Sequence, residues 1–203
     1  MKSDSLAFIG TNRIEAFSDG VLAIVITLMV LEIKLPALAD ELTDKQALDS
    51  LKPILPKLFS YALSFVMIGI FWVSHHDLFH SIQKSTRSLL WLNSLWLFWI
   101  CLLPFPTAFL GEHPNLTSAS VIFGGELFFC ALSFFGIRYY CYRQLLFADT
   151  ITRENQRRSL TKSALAPSFY LTSIVLSFFS VTISYVIFVI VPMLFIVSFI
   201  KRR

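Results

Sequence analysis

Charged and amide side chains are sparse along this chain, and those that border its apolar runs fall into three groups with distinct chemical potential. The densest is Arg13-Ile14-Glu15-Ala16-Phe17-Ser18-Asp19-Gly20, followed by the apolar run Val21 to Leu31, which only Thr27 interrupts. Ionisable groups within or bordering such a run are costly and are functional suspects by default. The second group is His75-His76-Asp77 with His80. His76 and His80 stand at i, i+4, the spacing at which a helix presents two metal ligands. Zincin-type catalysis needs a glutamate directly after the first histidine, and Asp77 lies off the face the two histidines share, so no metal centre is expected. The cluster reads instead as a polar helix end that bonds to the Arg13/Asp19 region, with His75 or His76 able to titrate near neutral pH. The third group, Asn93 and Glu126, sits inside apolar runs; such groups serve as transporter sites or, more commonly, as interhelical hydrogen-bond partners.

The elements that must position these residues follow from composition. Of 203 residues, 56% are hydrophobic and 15% charged, with 21 phenylalanines. That is more apolar surface than one soluble core can hide, which excludes a soluble enzyme, a disordered scaffold and a disulfide-stapled domain. Cys101, Cys130 and Cys141 lie in apolar segments with no CxxC spacing, so neither zinc nor redox chemistry is suggested. Met1 to Asn12 lacks a continuous apolar core and is read as no cleavable signal peptide.

A spanning helix needs about 20 mainly apolar residues. Six segments qualify, near 17–35, 57–74, 89–110, 119–137, 164–181 and 184–200, forming one all-α membrane domain over 1–203. The last two come from a single tract, 164–200, which is too long for one helix; a tight hairpin is expected at Ser180 to Ser184, its most polar stretch. Lys and Arg collect in cytoplasmic loops. Six spans put 13 of the 17 basic residues on one side, including Arg13, Lys84, Arg87, the Arg138 to Lys162 group and Lys201 to Arg203, and both termini in the cytosol. Five would put the basic C-terminus outside. The net charge of +4 thus reflects orientation and does not imply nucleic acid. Arg153 to Lys162 is expected as a solvated loop, and Trp72, Trp91, Trp96 and Trp99 as interfacial anchors.

Helical spacing aligns Ile24, Thr27, Leu28 and Leu31 on one stripe, with small Gly20 and Ala23 beside it. From spacing alone, the simpler account is that Asp19 pairs with a base at the interface and the stripe is helix packing.

Arg13-x-x-x-Phe17-Ser18-Asp19 at the opening of the first span resembles the signature of the transmembrane protein 175 family, potassium channels whose animal members work in endosomes and lysosomes. Trp72 with His75 and His76, and Asn93 with Pro104-Phe105, are weaker likenesses. The resemblance implies that four copies of the first helix surround a conduction path. Phe-Ser-Asp occurs once, as in the single-repeat prokaryotic form, which implies a homotetramer in the bilayer of the plasma membrane. It also implies a hydrophobic constriction at Ile24, apolar pore positions at Leu28 and Leu31, a threonine layer at Thr27, and no cofactor beyond permeant potassium. No TVGYG loop exists, so a carbonyl filter is not expected. The rival reading is an ion- or proton-coupled secondary transporter using Asp19, Glu126 and the histidines. Against it, the spans show no inverted repeat or paired broken helices.

Overall fold

The computed structural model describes residues 10–34 and 43–200. These form eight α-helices: α1 (Thr11–Met29), α2 (Asp44–Leu51), α3 (Leu55–His80), α4 (Arg87–Leu102), α5 (Pro104–Glu112), α6 (Thr117–Arg143), α7 (Arg153–Ser177) and α8 (Val181–Ile200). Among the described residues, four stretches are long and apolar enough to cross a membrane: Thr11–Glu32, Asp44–His80, Arg87–Glu112 and Thr117–Arg143. Val181–Val197 is a shorter apolar helix. Lys2 and Lys201 to Arg203, part of the charge bias, and Leu35, the expected end of the first span, lie outside the described residues.

α6 is the central post, packed against α4, α5, α7 and α8, while α1 rests on α3, α4 and α5. Small residues permit the closest approaches. A Cβ on Gly124 of α6 would meet Ile174 Cγ1 and Ser173 Oγ of α7 at 3.2 Å and Phe188 Cζ of α8 at 3.3 Å. The two ends of the bundle are tied separately. At one end the loops after α3 and α6 pair as a short bridge between Ile82 and Phe147. At the other, Lys57 Nζ bonds Glu112 Oε1 at 3.0 Å and the Tyr185 hydroxyl donates to the Pro114 carbonyl at 3.0 Å.

Four sequence expectations change here. The hairpin between α7 and α8 falls at Phe178 to Ser180, not at Ser180 to Ser184. Its two phenylalanines are exposed, whereas Ser184 is wholly buried in α8, where its Oγ donates to the Ser173 carbonyl at 2.9 Å and lies 2.8 Å from Ser177 Oγ. Hydroxyls in an apolar tract glue helices together as readily as they mark turns. Arg153 to Lys162 is the start of α7, not a loop: Thr152 caps it by accepting from the Asn155 N–H at 3.3 Å. The third span is broken into α4 and α5 at Leu103, because Pro104 lacks the N–H a continuing helix would use. Finally, Trp96 is no interfacial anchor; it is fully buried in the core.

Candidate functional site

α1 has two faces of different character. Ile14, Ser18, Leu22, Val25 and Met29 recur at helical spacing and are buried against α3, α4 and α5. On the opposite side Phe17, Gly20, Ala23, Ile24, Thr27, Leu28 and Leu31 are exposed, Ile24 by 59% and Leu31 by 66%. This side mixes apolar residues with glycine, alanine and threonine. The Thr27 hydroxyl, on the exposed face, donates back to the carbonyls of Ala23 (3.0 Å) and Ile24 (2.9 Å), so its oxygen can still accept.

The N-terminal half of α1 is held by a polar chain through the core. His75 Nε2 is 2.9 Å from Asn93 Oδ1, Asn93 Nδ2 donates to Ser18 Oγ at 2.9 Å, and Ser18 Oγ donates to the Ile14 carbonyl at 2.8 Å. The directions are mutually determined. Since the Asn93 amide nitrogen serves Ser18, its oxygen must accept, so His75 carries its proton on Nε2. The imidazole is stacked between Phe79 (4.3 Å between centroids) and Trp96 (4.9 Å). Ser18, His75 and Asn93, from three helices, are all buried. A satisfied buried network of this kind fixes helix register, because each member left alone pays its full desolvation cost.

A second, more exposed pair of contacts follows the same seam. Trp72 Nε1 donates to Asp19 Oδ1 at 2.9 Å, and His76 Nδ1 lies 3.3 Å from Glu15 Oε1. Glu15 and Asp19 are one turn apart on α1, Trp72 and His76 one turn apart on antiparallel α3, so the two rows match rung for rung. The expected hub of Arg13 with Asp19 and a histidine is therefore distributed differently. Asp19 meets an indole, His76 meets Glu15, and His75 reaches α1 through Asn93. Arg13 is exposed and joins none of the described contacts at this seam. Glu15 and the Trp72 donor were missed from sequence, although their i, i+4 rows were visible there. Glu126 is half-buried on α6 with Cys130 Sγ donating to it at 3.8 Å, and it joins none of the described contacts at this seam. His76 and His80 stack at 5.9 Å, and no group of three or more His, Cys, Asp or Glu side chains converges among the described residues.

An all-helical membrane-type bundle, with one helix anchored by a polar core network and its opposite face left unpartnered within the chain, is the class these features define. Comparison with known proteins narrows it. Residues 13–104 match the model of the family described as the endosomal/lysosomal potassium channel TMEM175. A potassium channel of Chamaesiphon minutus is 34% identical over 183 residues, covering 86% of this chain and 87% of that one. A potassium channel of Chryseobacterium sp. (strain P1-3) is 41% identical over 122 residues, which span 60% of each chain. The crystal structure of a lysosomal potassium-selective channel TMEM175 homolog from Chamaesiphon minutus superposes with a TM-score of 0.80 at 31% identity, covering 93% of this chain and 97% of that one. The chain belongs to the TMEM175 family.

Proposed function

We propose that this chain is a potassium-permeable cation channel of the plasma membrane, a homotetramer of six-span subunits whose pore is lined by the exposed face of α1. The observation that carries the reading is the composition of that face. Lipid suits bulky apolar side chains, such as the exposed Trp91, Phe98 and Phe105 elsewhere on the bundle. Gly20, Ala23 and Thr27 suit close approach to other helices or to a hydrated path instead. One α1 cannot enclose a conduit; four related by a central axis can.

The six spans of this reading are α1, α3, α4 with α5, α6, α7 and α8, with both termini in the cytoplasm. The end of the bundle bearing Arg13, His80, Lys84, Arg138 and Arg153 is then cytoplasmic. Ile24, Leu28 and Leu31 form successive apolar rings. Such a tube closes by dewetting, since water leaves it before the walls touch, and opens when slight widening lets water return. Thr27 oxygens supply the only side-chain acceptors between those rings to a partly dehydrated potassium ion. The Ser18–Asn93–His75 chain and the Asp19–Trp72 bond hold α1 at a fixed angle, and Arg13 and Phe17 are exposed at the same mouth. Neither catalysis nor a cofactor is required.

Reconstitution of the purified protein tests the reading. Under a potassium gradient with sodium opposite, a channel gives a reversal potential that follows the potassium gradient without a coupled ion. Transport that needs a proton or sodium gradient, or that persists in a monomer, points to the carrier instead.

A further inference from the structure

We propose that the cleft between α3, α6, α7 and α8 is a binding site for one glycerophospholipid per subunit, its phosphate held at the Arg138 and Lys162 mouth and an acyl chain laid along the apolar floor. The cleft has a volume of about 340 Å³, within the roughly 300–1,000 Å³ of small-molecule sites. Its floor is built by Met67 and Ile70 of α3, Phe134 of α6, Ala166 and Tyr170 of α7 and Phe195 of α8. Its mouth is polar: Arg138 at the end of α6 and Ser159, Lys162 and Ser163 near the start of α7 face His76 and Asp77 at the end of α3.

The two chemistries are separated along the bundle axis, and that separation selects the ligand. Water gains little in an apolar floor, which stays dry unless something apolar fills it. A free anion would use only the mouth, and a neutral amphiphile only the floor. Arg138 and Lys162 outnumber Asp77, the one carboxylate among the lining residues, and exposed Arg157 and Arg158 continue the basic side chains along α7. Basic clusters at the end of a helical bundle attract anionic head groups. The Arg138 guanidinium is already oriented, its Nη1 donating to Ser159 Oγ at 2.6 Å and its Cζ lying 5.6 Å from the Phe134 ring centroid. A planar fork held in place loses little further freedom when a phosphate docks.

The inference rests on the six-span arrangement proposed above, because the floor must open at bilayer depth, but not on which helix lines the pore. Native mass spectrometry of the full-length protein in mild detergent, titrated with phosphatidylglycerol, reads it directly. Saturable uptake of one lipid per subunit is expected, undiminished by inorganic phosphate. Lys162→Glu, at an exposed position, weakens uptake about tenfold. Ala166→Trp fills the floor and removes the bound lipid. Wild-type uptake by both variants while they remain folded, or full displacement by inorganic phosphate, overturns the proposal. Labelling of Lys162→Cys and Phe179→Cys, the latter at the exposed turn between α7 and α8, from opposite sides of sealed vesicles checks the six-span arrangement independently. Intact topology with no saturable uptake therefore sinks the lipid site alone.

Discussion

Asn93 is the residue on which the seat of α1 turns. Among the described residues it is the one side chain that bonds both a hydroxyl on α1 and an imidazole on α3, and all three groups are buried. Replacing it with Leu keeps the bulk but strands the Ser18 oxygen and the His75 Nε2–H, at about 1–3 kcal/mol for each unsatisfied group. The expected outcome for Asn93→Leu is a lower thermal unfolding midpoint in detergent and loss of a single assembled species on size exclusion; an unchanged midpoint would remove the network from the account. Trp72→Phe is milder. Its indole is 48% exposed, so losing the bond to Asp19 should cost about 0.5–1.5 kcal/mol, and the loss should vanish when Asp19 is already Ala. Additive losses in that double-mutant cycle would mean that the two side chains do not act on each other.

At the scale of elements, helix contacts here are set by what is missing as much as by what is present. A Cβ on Gly111 of α5 would sit 2.7 Å from Ser60 Oγ and 2.8 Å from the Lys57 Cα of α3, and backbone cannot step aside as a side-chain tip can. Gly111→Ala should therefore force α3 and α5 apart and destabilise by about 1–3 kcal/mol, read as a lowered unfolding midpoint. The opposite sign is expected at Leu145, which follows α6 with φ of 56° while Leu146 N–H bonds the Cys141 carbonyl at 3.1 Å. That is a Schellman closure, where glycine is the usual occupant. Since Leu145 is exposed, Leu145→Gly should raise the midpoint by relieving about 1 kcal/mol of left-handed strain. A lowered midpoint would show that chain entropy outweighs the strain.

These elements also explain what could be read from the sequence. Apolar runs announce α1, α3, α4 and α6 because a membrane-length helix leaves a continuous signature. The turn between α7 and α8 left none: both its phenylalanines look like span residues, while Ser173, Ser177 and Ser184 look like turn residues and in fact pack together. A charged first third hid α7 in the same way, since helix N-termini carry solvated residues as loops do. The polar site was legible as a set of residues but not as a set of partners. Asn93, Ser18 and His75 stood out as polar groups in apolar surroundings, yet which of them touch depends on how α1, α3 and α4 cross, which no single-helix periodicity contains.

At the scale of the whole molecule, the proposed function makes the unpartnered face of α1 the lining of an assembly. Cross-linking in mild detergent should end at four subunits. A reporter after Arg203 should be cytoplasmic and a tag near Asp44 external. The claim at the centre, that Ile24 closes a pore, is tested most directly by bi-ionic recording of two neighbouring substitutions. Ile24 is 59% exposed, and Val25, about 100° around the helix, is 4% exposed and packed in the core. Ile24→Asn puts four polar groups at the constriction, so water stays, current rises and preference for potassium over sodium falls. Val25→Asn disturbs packing without that paired change. If Ile24→Asn leaves conductance and reversal potential as they were in a folded tetramer, α1 does not line the pore.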